Sequence, residues 1–227
     1  MTSILRHRVR ALLFDLDGTL VDTAGEIAAA LARTFAELGL PALPNGAVEA
    51  LIGRGVASMV ERALVQVGAT GTDIARAVAR FETHYEATVA TVAELYPGVA
   101  AGLALLQGEG LPMAVVTNKP RHFTERLLDR LHSTASFAAV VAGDDGLARK
   151  PSGEMLLAAC ARLGSVPAAT LMVGDSGNDV AAARAAGCPV WCVPYGYNEG
   201  RPAETLACDR IVADLAEVAR LLRTPSG

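Results

Sequence analysis

"LLFDLDGTLVDT", residues 12–23, places three aspartates, Asp15, Asp17 and Asp22, directly after a run of Leu and Phe. Read from Val9, the run VRALLFD (9–15) has the length and the polar ending of a buried strand. Like charges gathered at the end of such a strand need a cation or protons beside them. Further short apolar runs follow at 111–117, 137–143, 170–175, 189–194 and 209–213. Helical patterns lie between them at 98–109, 119–132, 153–164, 177–187 and 213–223. Strands alternating with helices predict an α/β fold whose parallel sheet is covered on both faces. Ligands of such sheets bind outside the carboxyl ends of the strands. Here polar clusters follow the first, second and fourth runs, and a lysine follows the third.

Residues 23–95 break the rhythm. Thr23 and Glu26 have capping-box spacing, which predicts a helix start. Ile27, Leu31, Phe35 and Leu38 mark one helix face, and Ile74, Val78, Phe81, Tyr85, Val89 and Val92 mark another. No strand-like run intervenes, so this stretch reads as a helical insert, with LYPG (95–98) as the return hinge. The expected organisation is a catalytic core of 1–22 and 96–227 and a helical cap of 23–95.

Composition narrows the function classes. Of the 227 residues 52% are apolar and 19% charged, enough for a packed core and against wholesale disorder. The net charge of −4, the absence of a long basic run and an aromatic content of only 4% argue against a nucleic-acid partner. No segment approaches the about 18 uninterrupted apolar residues of a membrane span. The start, MTSILRHRVR, is basic but lacks the apolar stretch of a signal peptide. Cys160, Cys188, Cys192 and Cys208 form no CxxC pair and read as thiols in a reducing compartment, so a cytoplasmic location is expected. Monomer and homodimer both remain open.

The chemistry lies in four clusters. Asp15 and Asp17 stand two residues apart, and a second carboxylate pair, Asp175 and Asp179, lies in GDSGND after a later strand. Brought together, these would form an oxygen site for a hard divalent ion such as Mg²⁺. A carboxylate can also attack phosphorus and form an aspartyl phosphate. VVTNKP (115–120) offers Thr117 and Asn118 to phosphate oxygens, and RKP (149–151) offers Lys150 as a point charge. Each cluster has an ordinary structural explanation alone, but their order and their place at strand ends point to phosphate chemistry.

In these four motifs and their order the sequence resembles the haloacid dehalogenase superfamily over nearly its whole length. The resemblance implies a Rossmann-like core with an inserted cap. By it Asp15 is the nucleophile and Asp17 the general acid/base. Thr117 and Asn118 would hold the phosphoryl group, with Lys150 stabilising it. Mg²⁺ would be bound by Asp15, the backbone carbonyl of Asp17 and Asp175, and supported by Asp179 directly or through water. The dehalogenase branch lacks an acid at the Asp17 position, and the phosphonate-cleaving branch needs a cap lysine that 23–95 does not contain. The motifs, with YGYNEG (195–200), are most similar to the phosphoglycolate phosphatase branch, which implies a small phosphorylated acid as substrate. Arg54, between two glycines in LIGRGVASMVERAL (51–64), is the expected grip on that acid's carboxylate. A sugar-phosphate phosphatase or phosphomutase, and a non-catalytic phosphate sensor, are the alternatives. His7, His84, His122 and His132 have no evident partners in the sequence and are read as non-catalytic.

Overall fold

The computed structural model describes residues 9–223; most of the basic start, His7 included, lies outside them. The strands are β1 (Ala11–Phe14), β2 (Val21–Asp22), β3 (Glu94–Leu95), β4 (Met113–Val116), β5 (Ala139–Val141), β6 (Thr170–Gly174), β7 (Val190–Cys192) and β8 (Arg210–Ile211). The helices are α1 (Ala24–Glu37), α2 (Val56–Gln66), α3 (Ile74–Thr88), α4 (Val99–Gly108), α5 (Arg121–Arg130), α6 (Glu154–Arg162), α7 (Gly177–Ala186) and α8 (Leu215–Leu222). Six strands form one parallel sheet in the order β5–β4–β1–β6–β7–β8. The Rossmann-like α/β core is therefore as expected.

Side chains alternate across the sheet because successive residues of a strand point to opposite faces. Leu12, Phe14, Met113, Val115, Leu171 and Val173 pack on one face, with Leu103 and Leu106 of α4 and Val218 of α8. Leu13, Ala114, Val116, Met172 and Val190 pack on the other, with Met155 and Ala159 of α6 and Ala183 of α7. All four residues of β1 are fully buried, which is why this strand reads as an unbroken apolar run. Strand order changes direction at β1, with β4 on one side and β6 on the other, so a crevice opens at their carboxyl ends. Phe14 is in register with both Val115 and Val173. That register brings Asp15, Thr117 and Asp175 to the same rim of the sheet.

The insert is helical but not free of strand. β2 and β3 pair antiparallel, Val21 opposite Leu95, and so bind the outgoing and returning linkers together. These two-residue strands have no periodicity to read. Between them α1 and α2 pack against α3, with Leu31, Phe35, Val60, Ala63, Phe81 and Tyr85 buried. The expected Thr23/Glu26 capping box does not form: the Thr23 side chain makes no cap hydrogen bond. Glu26 is buried and its Oε1 accepts instead from the backbone N–H groups of Thr91, Val92 and Ala93, at 2.6, 3.0 and 3.1 Å. It ties the first turn of α1 to the chain leaving α3. Glu26→Ala should lower unfolding stability by about 1.5–3 kcal/mol, the range for hydrogen bonds to a charged group. Urea unfolding should show a lower midpoint at unchanged slope; an unshifted midpoint would contradict this role.

Candidate active site

Asp15 follows β1 directly and is buried. Its backbone N–H continues the sheet by donating to the Val173 carbonyl (3.0 Å). One carboxylate oxygen accepts from the Leu16 N–H (2.7 Å) and faces Lys150 Nζ (2.8 Å). Lys150 also donates to Asp179 Oδ1 at 2.7 Å. Asp175, one residue past β6, accepts from the Thr19 hydroxyl (2.9 Å) and the Tyr197 N–H (2.8 Å). Oxygens of Asp15, Asp175 and Asp179 all lie within 4.8 Å of one another, and all three residues are buried. The structure thus gathers the two acidic pairs' principal members from sequence positions 160 residues apart.

Asp179 sits in the first turn of α7 and forms a true capping box with Ser176. Its Oδ2 accepts from the Ser176 N–H (3.1 Å), the Ser176 hydroxyl (2.8 Å) and the Asp175 N–H (3.3 Å), while Oδ1 takes Lys150. Asp179 is therefore committed on both oxygens, and Asp175 accepts from Thr19 on one oxygen and from the Tyr197 N–H and, at 3.4 Å, the Asn198 N–H on the other. Two glycines let Asp175 sit so close to the chain. Gly18 has φ +85°, and a Cβ there would lie 2.6 Å from Asp175 Oδ2. A Cβ on Gly196 would lie 2.2 Å from Asp175 Cβ and 2.4 Å from the Gly18 carbonyl.

Thr117 and Asn118 follow β4, as expected, but their side chains are used differently. The Thr117 hydroxyl accepts from the Lys119 N–H (3.2 Å) and lines the cleft. The Asn118 side chain clamps Lys150: Oδ1 accepts its N–H and Nδ2 donates to its carbonyl, both at 2.9 Å. Nδ2 also donates to the Gly53 carbonyl of the insert (2.9 Å). Arg54, expected at the substrate, instead forms a two-pronged ion pair with Glu199, half exposed and outside the cleft lining. Burial works against the Glu199 charge, but Arg54 outweighs it and holds that carboxyl below its usual range. Arg62, in the same segment, donates to the carbonyls of Ala50 (2.7 Å) and Leu51 (3.3 Å). His84 and His122 do have partners, Glu37 and Glu86, each at 2.7 Å and on the surface.

Several functional neighbours escaped the sequence reading. Asp17 is held by Lys119 Nζ at 2.8 and 3.0 Å and by the Thr23 hydroxyl at 2.7 Å. The YGYNEG loop explains itself once the linkers are placed. Tyr197 Oη donates to Asp22 (2.7 Å) and accepts from the N–H groups of Thr23 (2.8 Å) and Ala24 (3.0 Å). Tyr195 donates to the Thr19 carbonyl (2.9 Å) and packs on Tyr96 of the return linker, ring centroids 4.5 Å apart. The signal for Lys119 was its place in VVTNKP; the tyrosines had none beyond the motif itself.

The charge balance of this cluster is uneven. Asp15 holds its proton well above the usual carboxyl range, mainly through burial, then through the Asp179 charge, with Lys150 acting against both. Asp175 is pushed up to about 7, again by burial first and Asp179 second. Three clustered carboxylates, only two of them paired with the one ammonium, offer oxygen donors alone and suit a hard divalent cation. Without a cation, the folded state binds more protons than the unfolded chain between the ordinary Asp range and about pH 7. Stability from this cluster therefore falls as pH rises through that window. The metal-free protein should melt lower at pH 8 than at pH 5.5, and an added divalent cation should raise Tm more at pH 8. Asp175→Asn should reduce both differences. Equal cation effects at the two pH values, read by thermal melting with and without chelator, would contradict this assignment.

Comparison with known proteins follows the same lines. The family description "Haloacid dehalogenase-like hydrolase" matches residues 12–193. A phosphoglycolate phosphatase of Nitrosospira multiformis is 42% identical over 221 residues, 96% of this chain and 97% of that protein. A plasmid-encoded phosphoglycolate phosphatase of Cupriavidus necator is 46% identical over 218 residues, 95% and 94% of the two chains. Among solved structures, that of a predicted phosphoglycolate phosphatase from Haemophilus somnus superposes with a TM-score of 0.88 at 29% identity, covering 95% of this chain and 99% of that one. CbbY from Rhodobacter sphaeroides, in complex with phosphate, superposes with a TM-score of 0.79 at 26% identity, over 92% and 96%. The match across both halves of the carboxylate cluster, with relatives above 40% identity along nearly the full length, shows that the chain belongs to the haloacid dehalogenase-like hydrolases.

Proposed function

We propose that the protein is a Mg²⁺-dependent phosphoric monoester hydrolase that converts 2-phosphoglycolate to glycolate and phosphate through an aspartyl phosphate on Asp15. The observation that carries this reading is the buried Asp15–Lys150–Asp179 triad with Asp175 at one strand rim. Relatives at 42–46% identity named phosphoglycolate phosphatase supply the substrate.

Asp15 is the carboxylate nearest a strand end whose free oxygen can meet a phosphorus atom. Its attack forms the Asp15–phosphorus bond and breaks the bond to the ester oxygen. The departing alkoxide takes a proton from the Asp17 carboxyl. Asp17, now a carboxylate, takes a proton from water as that water attacks phosphorus, breaks the Asp15–phosphorus bond and releases phosphate. Lys150, its charge reinforced by Asp15 and Asp179 against the cost of burial, orients Asp15 and faces the phosphoryl oxygens. Thr117 and the backbone N–H groups after β4 would hold those oxygens. Asp15, Asp175 and the Asp17 carbonyl would bind Mg²⁺, with Asp179 in support through Lys150 and the Asp175 N–H. Bound there, Mg²⁺ supplies positive charge to the carboxylates and the dianionic substrate.

We read residues 23–95 as a cap over this rim, joined through the β2–β3 pair. Gly53 of the insert touches Asn118, and Arg54 grips Glu199, so the cap loop is docked on the core. A docked cap keeps bulk water out of the cleft while the first displacement takes place. Arg54 then acts on cap position. The likeness to CbbY, which has also been solved as a variant with xylulose-(1,5)bisphosphate, supports a sugar-phosphate substrate as the second reading.

A panel of phosphate monoesters with Mg²⁺ separates the two: 2-phosphoglycolate should be turned over faster than hexose and pentose phosphates, and chelator should abolish activity. Asp15→Asn should remove turnover of every ester. Asp17→Asn should lose about 10²–10⁴ in rate on 2-phosphoglycolate, the span of general acid/base catalysis. It should lose less on an aryl phosphate, whose leaving group needs no proton. Wild-type rates for Asp17→Asn on phosphoglycolate would assign the proton transfer elsewhere.

A further inference from the structure

The chain contains two lysines, Lys119 and Lys150; all its other cationic side chains are arginines or histidines. Both lysines are buried at this cleft. Lys150 is matched by Asp15 and Asp179. Lys119 is left without a task in the reaction above. Its Nζ lies 2.8 and 3.0 Å from the two carboxylate oxygens of Asp17, and 5.0 Å from the centroid of the Tyr85 ring on α3. The Tyr85 side chain is 1% exposed, and its hydroxyl has no hydrogen-bond partner. Tyr85, Lys119 and Asp17 all line the cleft. The wall around Tyr85 is apolar, from Ile27, Ile52, Val56, Met59 and Phe81, and Asp15, Thr117 and Asn118 complete the cleft on the sheet side. A buried ammonium beside a buried, unpartnered phenol is a donor set for a carboxylate.

In this state the carboxylate on Lys119 is that of Asp17. Both of its oxygens face the ammonium, and one also accepts from Thr23. So held, Asp17 is not free to turn toward a leaving-group oxygen. We propose that the substrate's own carboxylate displaces Asp17 from Lys119, with the Tyr85 hydroxyl as second donor; the released Asp17 carboxylate takes up from solvent the proton it delivers to the leaving-group oxygen, and returns one to solvent when it pairs with Lys119 again after product release. This rests on the reading of the substrate as a phosphorylated acid. One anion replaces another on Lys119, so no buried ammonium is left unpaired during the exchange. An ester without a carboxylate cannot make the exchange and meets an enzyme whose proton carrier is locked. Selectivity then enters through kcat as well as KM. Arg54, committed to Glu199, is not needed for it.

The test compares 2-phosphoglycolate with ethyl phosphate, which has an alkoxide leaving group but no carboxylate, on the wild type, Lys119→Met and Tyr85→Phe. The wild type should favour 2-phosphoglycolate in kcat and KM. Lys119→Met should raise KM for 2-phosphoglycolate about 10- to 100-fold, the loss expected for a charged hydrogen-bond partner. The same variant should raise kcat on ethyl phosphate several-fold, because Asp17 is no longer held. Tyr85→Phe should lower the preference for 2-phosphoglycolate. Millimolar acetate should accelerate ethyl phosphate hydrolysis by the wild type and not by Lys119→Met. Equal losses on both esters in Lys119→Met, or no acetate activation of the wild type, would overturn the exchange. If circular dichroism shows Lys119→Met unfolded, the acetate arm and Tyr85→Phe still decide. A wild type that hydrolyses an aryl phosphate but prefers ethyl phosphate to 2-phosphoglycolate refutes the acid-substrate reading, and one that hydrolyses no ester refutes the phosphatase reading; the exchange falls with either.

Discussion

Three buried carboxylates gather at the carboxyl ends of β1 and β6, and one buried ammonium, that of Lys150, pairs with two of them, Asp15 and Asp179. Charges this deep are tolerated only when paired and hydrogen-bonded. Asp179 meets that condition through the Ser176 capping box and Lys150. Lys150 meets it through Asp15 and Asp179, with the Asn118 side chain clamping its backbone on both sides. Asp15 meets it on one oxygen, through Lys150 and the Leu16 N–H, and Asp175 only in part, through hydrogen bonds from Thr19, Tyr197 and Asn198. The excess negative charge is the property on which the function turns, because it suits the cluster to a divalent cation and, through that cation, to an anionic substrate.

The same cluster organises the surrounding chain. Asp175 is held by the Tyr197 N–H, and Tyr197 in turn holds the start of the insert at Asp22, Thr23 and Ala24. Tyr195 packs on Tyr96 in the returning linker, and Glu199 takes Arg54 from the insert's loop. A single loop, residues 195–200, thus touches the carboxylate cluster, both linkers and the loop over the cleft. Its backbone shows the constraint: Asn198 and Glu199 both adopt positive φ, 37° and 53°. A loop bound at so many points by side chains and backbone can carry that local cost.

The sheet was legible because its central strands are buried on both faces and read as apolar runs, and because polar residues mark their ends. The acidic pairs were legible for the same reason. Capping was not legible from spacing alone. Thr23–Glu26 and Ser176–Asp179 have the same separation, yet only the second caps, because Asp17 and the 91–93 backbone capture the side chains of the first. Lys119 stood unremarked beside Thr117 and Asn118 in VVTNKP, and its partner Asp17 lies 102 residues away. Arg54 was placed at the substrate from its glycine neighbours, while Glu199, its partner, is 145 residues distant. Local pattern reports which residues carry chemistry; long-range ion pairs decide which of them face one another.

In the proposed reaction phosphorus passes through a covalent bond to Asp15. Two successive displacements at phosphorus restore its configuration, whereas a direct attack by water inverts it. The measurement is hydrolysis of 2-phosphoglycolate made chiral at phosphorus with sulfur and heavy oxygen, run in water of a third oxygen isotope, followed by configurational analysis of the thiophosphate released. Retention is the expected result. Inversion would show that water attacks the ester directly and that Asp15 is not the nucleophile.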